Sequence, residues 1–258
     1  MRHTRLFHRL VPRIALIIAL ALLITISVFP AVGTNLSPHI PSETIAINSF
    51  QRAAAVFADE EPIFSDGQCF AVADEPGESD TLIEVDLING ATRTISKINP
   101  SGQIEAISVV PDPIIEGQAT IYAADANIFG KLRIQGFGSY NPQVQFEQIG
   151  GFGKASGGGG SITLKDVDGL TYDIQQDVMY GVHRRNRGRE DVLFVLDRTT
   201  GRFVPGYFNT DDGPADYVLV DIIDGLHDVD DIAIHPETRE MFGIINDNGA
   251  GGILVQLN

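Results

Sequence analysis

A short segment of this chain recurs 62 residues further on. Val167-Asp168-Gly169-Leu170-Thr171-Tyr172-Asp173 is followed by Val178-Met179-Tyr180-Gly181-Val182. Val229-Asp230-Asp231-Ile232-Ala233-Ile234-His235-Pro236 is followed by Glu240-Met241-Phe242-Gly243-Ile244. A fixed period of strand-like runs means one supersecondary unit copied along the chain. The runs are short and separated by Gly, Asp, Asn and Pro, which predicts an all-β fold. No amphipathic stretch of helical length lies between them, which excludes parallel βαβ units.

The third copy is the clearest. Val167–Tyr172 and Val178–Val182 read as strands joined by a turn at Ile174–Asp177. A polar loop, His183–Glu190, leads to the strand Val192–Leu196, and Asp197–Gly201 turns the chain into Arg202-Phe203-Val204. Asp at the start of such a turn accepts bonds from downstream N–H groups, and Gly supplies positive φ near its end. The first copy shows Phe70–Ala73, Thr81–Asp86 with the equivalent turn Leu87–Gly90, and Ala91–Ile98. The second shows Ile104–Val110, Thr120–Asp125, Lys131–Ile134 and Val144–Ile149. The fourth shows Val229–Ile234, Met241–Ile245 and Gly252–Leu257. Four strands per unit of about sixty residues fit a β-propeller blade. The expected architecture is therefore all-β and propeller-like, with about four blades over residues 62–258; a two-sheet sandwich is the alternative. The first unit lacks a clear opening strand and the last lacks its fourth. Closing the ring needs a segment such as Ile45–Phe57, or further blades if the chain is a fragment of a larger propeller.

The strand and turn Leu193-Phe194-Val195-Leu196-Asp197-Arg198-Thr199-Thr200-Gly201-Arg202 resemble those of quinoprotein-like and YVTN-type propellers, and Val229–Pro236 with Met241–Ile244 resembles the first two strands of such a blade. The resemblance spans roughly residues 64–258 and implies a fold, not an activity, because propellers host many functions. The chain has no tryptophan. The tryptophan-based docking motif of the quinoprotein enzymes is thus missing, and no quinone cofactor is expected.

Arg2, Arg5, Arg9 and Arg13 precede an apolar run from Ile14 to Phe29, and Pro30-Ala31-Val32-Gly33 follows. Basic, apolar, small-residue order is that of a secretory signal. Residues 1–33 are read as a signal peptide or a retained membrane-anchor helix, 34–61 as a linker, and the remainder as extracytoplasmic, secreted or anchored. The formal charge is −16, and without the four N-terminal arginines 14 basic residues stand against 34 acidic ones. Such a surface repels phosphate backbones, so nucleic acid is excluded as a partner. A membrane is met only through the N-terminal segment. Cys69 is the single cysteine, so no internal disulfide forms, and with no basic neighbour it reads as a small buried hydrophobe.

Acidic residues are the leading site candidates. Hard cations such as Ca²⁺ need several oxygen ligands, and Asp168, Asp228, Asp230 and Asp231 are the weak candidates for a metal. None fits the calcium-loop spacing, and the shared repeat position of Asp168 and Asp230 argues for turn capping. No cofactor is expected, with Ca²⁺ the minor alternative. His183, His227 and His235 lack zinc-site spacing. Gly150-Gly151-Phe152-Gly153 and Gly157–Gly160 lack the Lys and following helix of a phosphate loop and read as a flexible linker between blades. Arg184, Arg185, Arg187 and Arg189 form the one basic stretch, a loop that would grip an anionic ligand. The expected function is an extracytoplasmic propeller-like binding module for a protein or a surface glycan. The alternative is an enzyme on the same scaffold: a lyase, a hydrolase or a quinoprotein-like oxidoreductase.

Overall fold

The structure is a computed structural model and describes residues 68–73, 79–100, 103–185, 189–220, 229–246 and 252–257. Among these residues there is no helix, and hence none long and apolar enough to cross a membrane. The signal or anchor at 1–33 and the linker at 34–61 lie outside the described residues.

Four antiparallel meanders follow one another. The first is β1 (Gln68–Ala73), β2 (Thr81–Asp86) and β3 (Thr92–Asn99). The second is β4 (Ile104–Pro111), β5 (Ala119–Asp125), β6 (Ile128–Gln135) and β7 (Gln143–Gly151). A hairpin of β8 (Lys154–Gly157) and β9 (Gly160–Thr163) precedes the third, β10 (Val167–Asp173), β11 (Val178–His183) and β12 (Asp191–Leu196). A second hairpin, β13 (Phe208–Thr210) and β14 (Gly213–Ala215), separates β12 from its partner β15 (Tyr217–Val220). The fourth meander is β16 (Val229–Ile234), β17 (Met241–Asn246) and β18 (Gly252–Leu257).

The first two meanders are not separate sheets. β3 pairs with β7 in parallel through Ile98↔Val144 and Asn99↔Gln145. The resulting seven strands run β1-β2-β3-β7-β6-β5-β4, and the edge strands β1 and β4 touch, so the sheet nearly closes on itself. β10 lies between β4 and β16, the opening strands of its neighbours. Three apolar clusters follow in series. Leu82, Ile98, Ile121 and Leu132 fill the space between the first and second meanders. Phe129, Phe152, Phe194, Met179 and Tyr217 fill that between the second and third. Val182, Val195, Val229 and Ile232 fill that between the third and fourth.

The repeat is visible in two local devices. The opening strands of the second, third and fourth meanders each carry a β-bulge at the second residue: Glu105, Asp168 and Asp230 stand where the register shifts. The extra residue puts positions three apart on one face, so Ile104 and Ile107 share one core, Val167 and Leu170 the next, and Val229 and Ile232 the last. The second device closes the turn after that strand. Asp112 Oδ1 accepts from Ile114 N (2.7 Å) and Ile115 N (2.9 Å). Asp173 Oδ1 accepts from Gln175 N (2.9 Å) and Gln176 N (3.2 Å). His235 Nδ1 takes the same part toward Glu237 N (3.3 Å) and Thr238 N (3.1 Å). The turn expected at Leu87–Gly90 matches that at Asp197–Gly201. Asp86 and Asp197 each accept the N–H two residues on, and Gly90 (φ 71°) and Gly201 (φ 73°) close the turn.

Two expectations are corrected. Gly157–Gly160 is not a flexible linker but the tip of the β8–β9 hairpin. A Cβ on Gly157 would stand 2.7 Å from the Tyr217 carbonyl oxygen, so only glycine lets β8 lie along β15. Arg202–Val204 is not the fourth strand of its unit. Phe203 makes one isolated bridge to Leu196, while β15 takes the ladder position beside β12.

Candidate functional site

The three bulges place three acids at the same end of three neighbouring strands. β10 and β16 run side by side in one direction: the Ile234 N–H donates to Thr171 Oγ1 (3.1 Å), and Arg239 Nε donates to Asp173 Oδ2 (2.9 Å). Their starting ends carry Asp168 and Asp230, and β4 brings Glu105 alongside. Asp166, in the connection into β10, completes the group. Carboxylate oxygens of Glu105, Asp166 and Asp168 lie within 4.8 Å of one another.

Arg184, just past β11, is the counter-charge. Its Nε lies 2.7 Å from Asp168 Oδ2 and its Nη2 donates to Asp230 Oδ1 at 2.9 Å, so one guanidinium joins the third and fourth meanders. The Asp168 contact is out of line for a hydrogen bond, and Oδ2 is buried with no hydrogen-bond partner. Asp168 is buried, with its side chain 5% exposed. That burial, reinforced by Glu105, Asp166 and Asp230 and opposed by Arg184, pushes its carboxyl up to about 9. Burial also raises Glu105, and the neighbouring Asp166 charge adds to it. Glu105 and Asp168 therefore share a proton at neutral pH, and the pair titrates as a unit. Asp231, next to the third bulge, is pushed up to about 7 by burial, against a hydrogen bond from the Ile232 N–H.

Asp191 holds Arg184 in place. It is fully buried, and its Oδ1 accepts from Arg185 N (2.7 Å) while Oδ2 accepts from Val229 N (2.8 Å). It thus ties the chain after β11 to the first residue of β16. His183 is buried too. Its Nδ1 is 2.7 Å from the Asp166 carbonyl oxygen, which ties the ring to the connection into β10, and burial lowers its pKa.

Of the acids expected from sequence, Asp168 and Asp230 meet through Arg184, Asp231 stands beside Asp230, and Asp228 lies outside the described residues. Asp168 caps no turn; Asp86, Asp112, Asp173, Asp197 and His235 do that work. The arginine stretch does not present one basic patch. Arg184 turns inward onto acids, Arg185 is half-buried, Arg189 is exposed, and Arg187 lies outside the described residues. Sequence reasoning missed Glu105 and Asp191. Glu105 carried a usable signal, since it occupies the second position of an opening strand as Asp168 and Asp230 do. Asp191 carried none beyond standing directly before an apolar run.

Glu105, Asp166 and Asp168 have the donor chemistry of a hard-cation site. The Glu105–Asp168 pair has that of an acid and a base side by side. No protein-family model matches the chain, and no curated protein sequence is significantly similar to it.

Proposed function

We propose that this chain is an extracytoplasmic binding module in which the four meanders act as successive blades of a propeller-like fold, and that its ligand is positively charged. The observation that carries the reading is the convergence of Glu105, Asp168 and Asp230, from three successive bulges, around a single arginine. With Asp166 these acids outweigh that cation even when Glu105 and Asp168 hold one proton between them, and an excess of negative charge at a strand mouth attracts cations and basic side chains. The N-terminal Arg-then-apolar pattern supports an extracytoplasmic position. The overall acidity speaks against nucleic acid.

The test is calorimetric titration of the chain with CaCl₂ and with octalysine at low ionic strength. Wild type is expected to bind one of these probes, and the Glu105→Gln/Asp166→Asn double variant to bind it about tenfold or more weakly, a loss of ~1.4 kcal/mol. Ca²⁺ binding would expel the shared proton and so tighten as pH rises. Absence of binding by both probes, or equal binding by the variant, overturns the proposal. The second reading is a hydrolase or lyase on the same scaffold, supported by the proton shared between Glu105 and Asp168. Under that reading Glu105→Gln abolishes turnover while ligand affinity stays nearly constant.

A further inference from the structure

At the opposite end of β10–β12 a groove of about 400 Å³ is lined by residues of the third meander and its following loop and by Tyr122 of β5. Its floor is aliphatic, made by Val178, Val195 and Val204, and its walls include Tyr122 and Tyr207. Both rings are fixed by aromatic neighbours. Tyr122 stacks on Phe129 with centroids 5.3 Å apart and planes 7° apart. Tyr207 meets Tyr180 and Phe208 edge-on, and its hydroxyl lies 3.3 Å from that of Tyr180. Tyr207 is nevertheless 37% exposed.

The rim is polar, and its charges already have partners. Asp177 pairs with Arg198 and accepts the Tyr172 hydroxyl at 2.7 Å, while the Arg198 guanidinium sits 4.9 Å above the Tyr172 ring. Asp197 accepts both the backbone N–H (2.7 Å) and the hydroxyl (2.6 Å) of Thr199. An anionic ligand would have to break the Asp177–Arg198 pair or sit against Asp197. A wholly apolar one would strip water from these ions without replacing its hydrogen bonds. A ring with an apolar face and a hydroxylated edge avoids both costs: the face lies on tyrosine and valine, and the hydroxyls bond the ions without separating them. The volume lies at the small end of ligand clefts, about 300–1,000 Å³, and suits a short saccharide rather than a long chain.

We infer that this groove binds a neutral saccharide, with Tyr207 as the stacking platform and Asp177, Arg198 and Thr199 as the hydroxyl partners. The site is separate from the acidic mouth and stands or falls independently of it. The test is ¹⁵N NMR titration of the chain with millimolar cellotriose, chitotriose and maltotriose, with trigalacturonate as the anionic control. At least one neutral probe is expected to shift the Val178, Thr199 and Val204 amides. Tyr207→Ala should weaken that probe about tenfold or more, and Tyr207→Phe less than about threefold. Glu105→Gln/Asp166→Asn should leave it unchanged. The inference is overturned if no neutral probe shifts these amides, if trigalacturonate shifts them as strongly, or if Tyr207→Ala binds like wild type. Wild-type shift mapping decides the question even where Tyr207→Ala does not fold.

Discussion

Asp168, whose buried carboxyl shares a proton with Glu105, is the residue where the chemistry of this chain concentrates. Its folded value, about 9, is far above its ordinary 3.8. Between those values the folded state binds a proton that the unfolded chain releases, so stability falls as pH rises from about 4 to about 9. The side chain is nearly fully buried, so the effect is on the order of a few kcal/mol, shared with Glu105. Asp168→Asn should flatten the decline, and urea midpoints at pH 5, 7 and 9 measure it. A variant as pH-sensitive as wild type would place the proton elsewhere. The repeat made Asp168 conspicuous in the sequence, but its role was not legible. Strict alternation sends the residue after a buried valine to solvent, and only the bulge, which has no sequence signature here, turns it toward Glu105 and Asp230.

Strands and turns were far more legible than side-chain roles, because apolar runs bounded by Gly, Asp and Asn carry their own punctuation. The runs around Ile107, Ile121, Val144, Leu170, Val182 and Ile232 all became strands. Legibility failed where glycine signalled close packing rather than freedom. Gly150 and Gly158 belong to the same glycine-rich stretch, yet they meet opposite surroundings. A Cβ on Gly150 would stand 2.0 Å from the Thr200 carbonyl oxygen, whereas one on Gly158 meets nothing within 4 Å. Gly150→Ala must therefore push β7 off the Asp197–Gly201 turn, at a cost of about 3 kcal/mol. Gly158→Ala should stay within about 0.5 kcal/mol of wild type. Chemical denaturation of both variants checks the contrast, and equal stabilities would contradict the contact. The turn caps allow a similar comparison. Asp173, 1% exposed, closes its own turn and also receives Arg239 from the next repeat. Asp173→Ala should cost about 2 kcal/mol, since it removes the cap of the turn and the buried acceptor of Arg239. Asp173→Asn keeps the capping oxygen and should retain more of the stability.

Across the whole molecule, the cores are arranged in series rather than gathered into one. The second and third meanders each bury one face against the meander before and the other against the one after, and no single cluster reaches from Leu82 to Ile232. Stability then approximates a sum of unit and neighbour terms, as in other repeat architectures. The period foretold this chain of units. It did not foretell that β3 and β7 would merge two of them, because parallel pairing between outer strands leaves no trace in either strand's own pattern. A serial arrangement has a measurable consequence. Ile232 is 2% exposed and packs on Val182 and Val195 across the third interface. Ile232→Ala removes about 3 kcal/mol of packing there. Hydrogen exchange should rise first in 229–257, less in 167–220, and least in 68–151, because partial unfolding starts at the weakened unit. A rise in 68–99 as large as that in 229–257, with the middle meanders protected, would mean that the first and last units are neighbours in a closed ring. A uniform rise over all four meanders would mean that the three cores unfold as one.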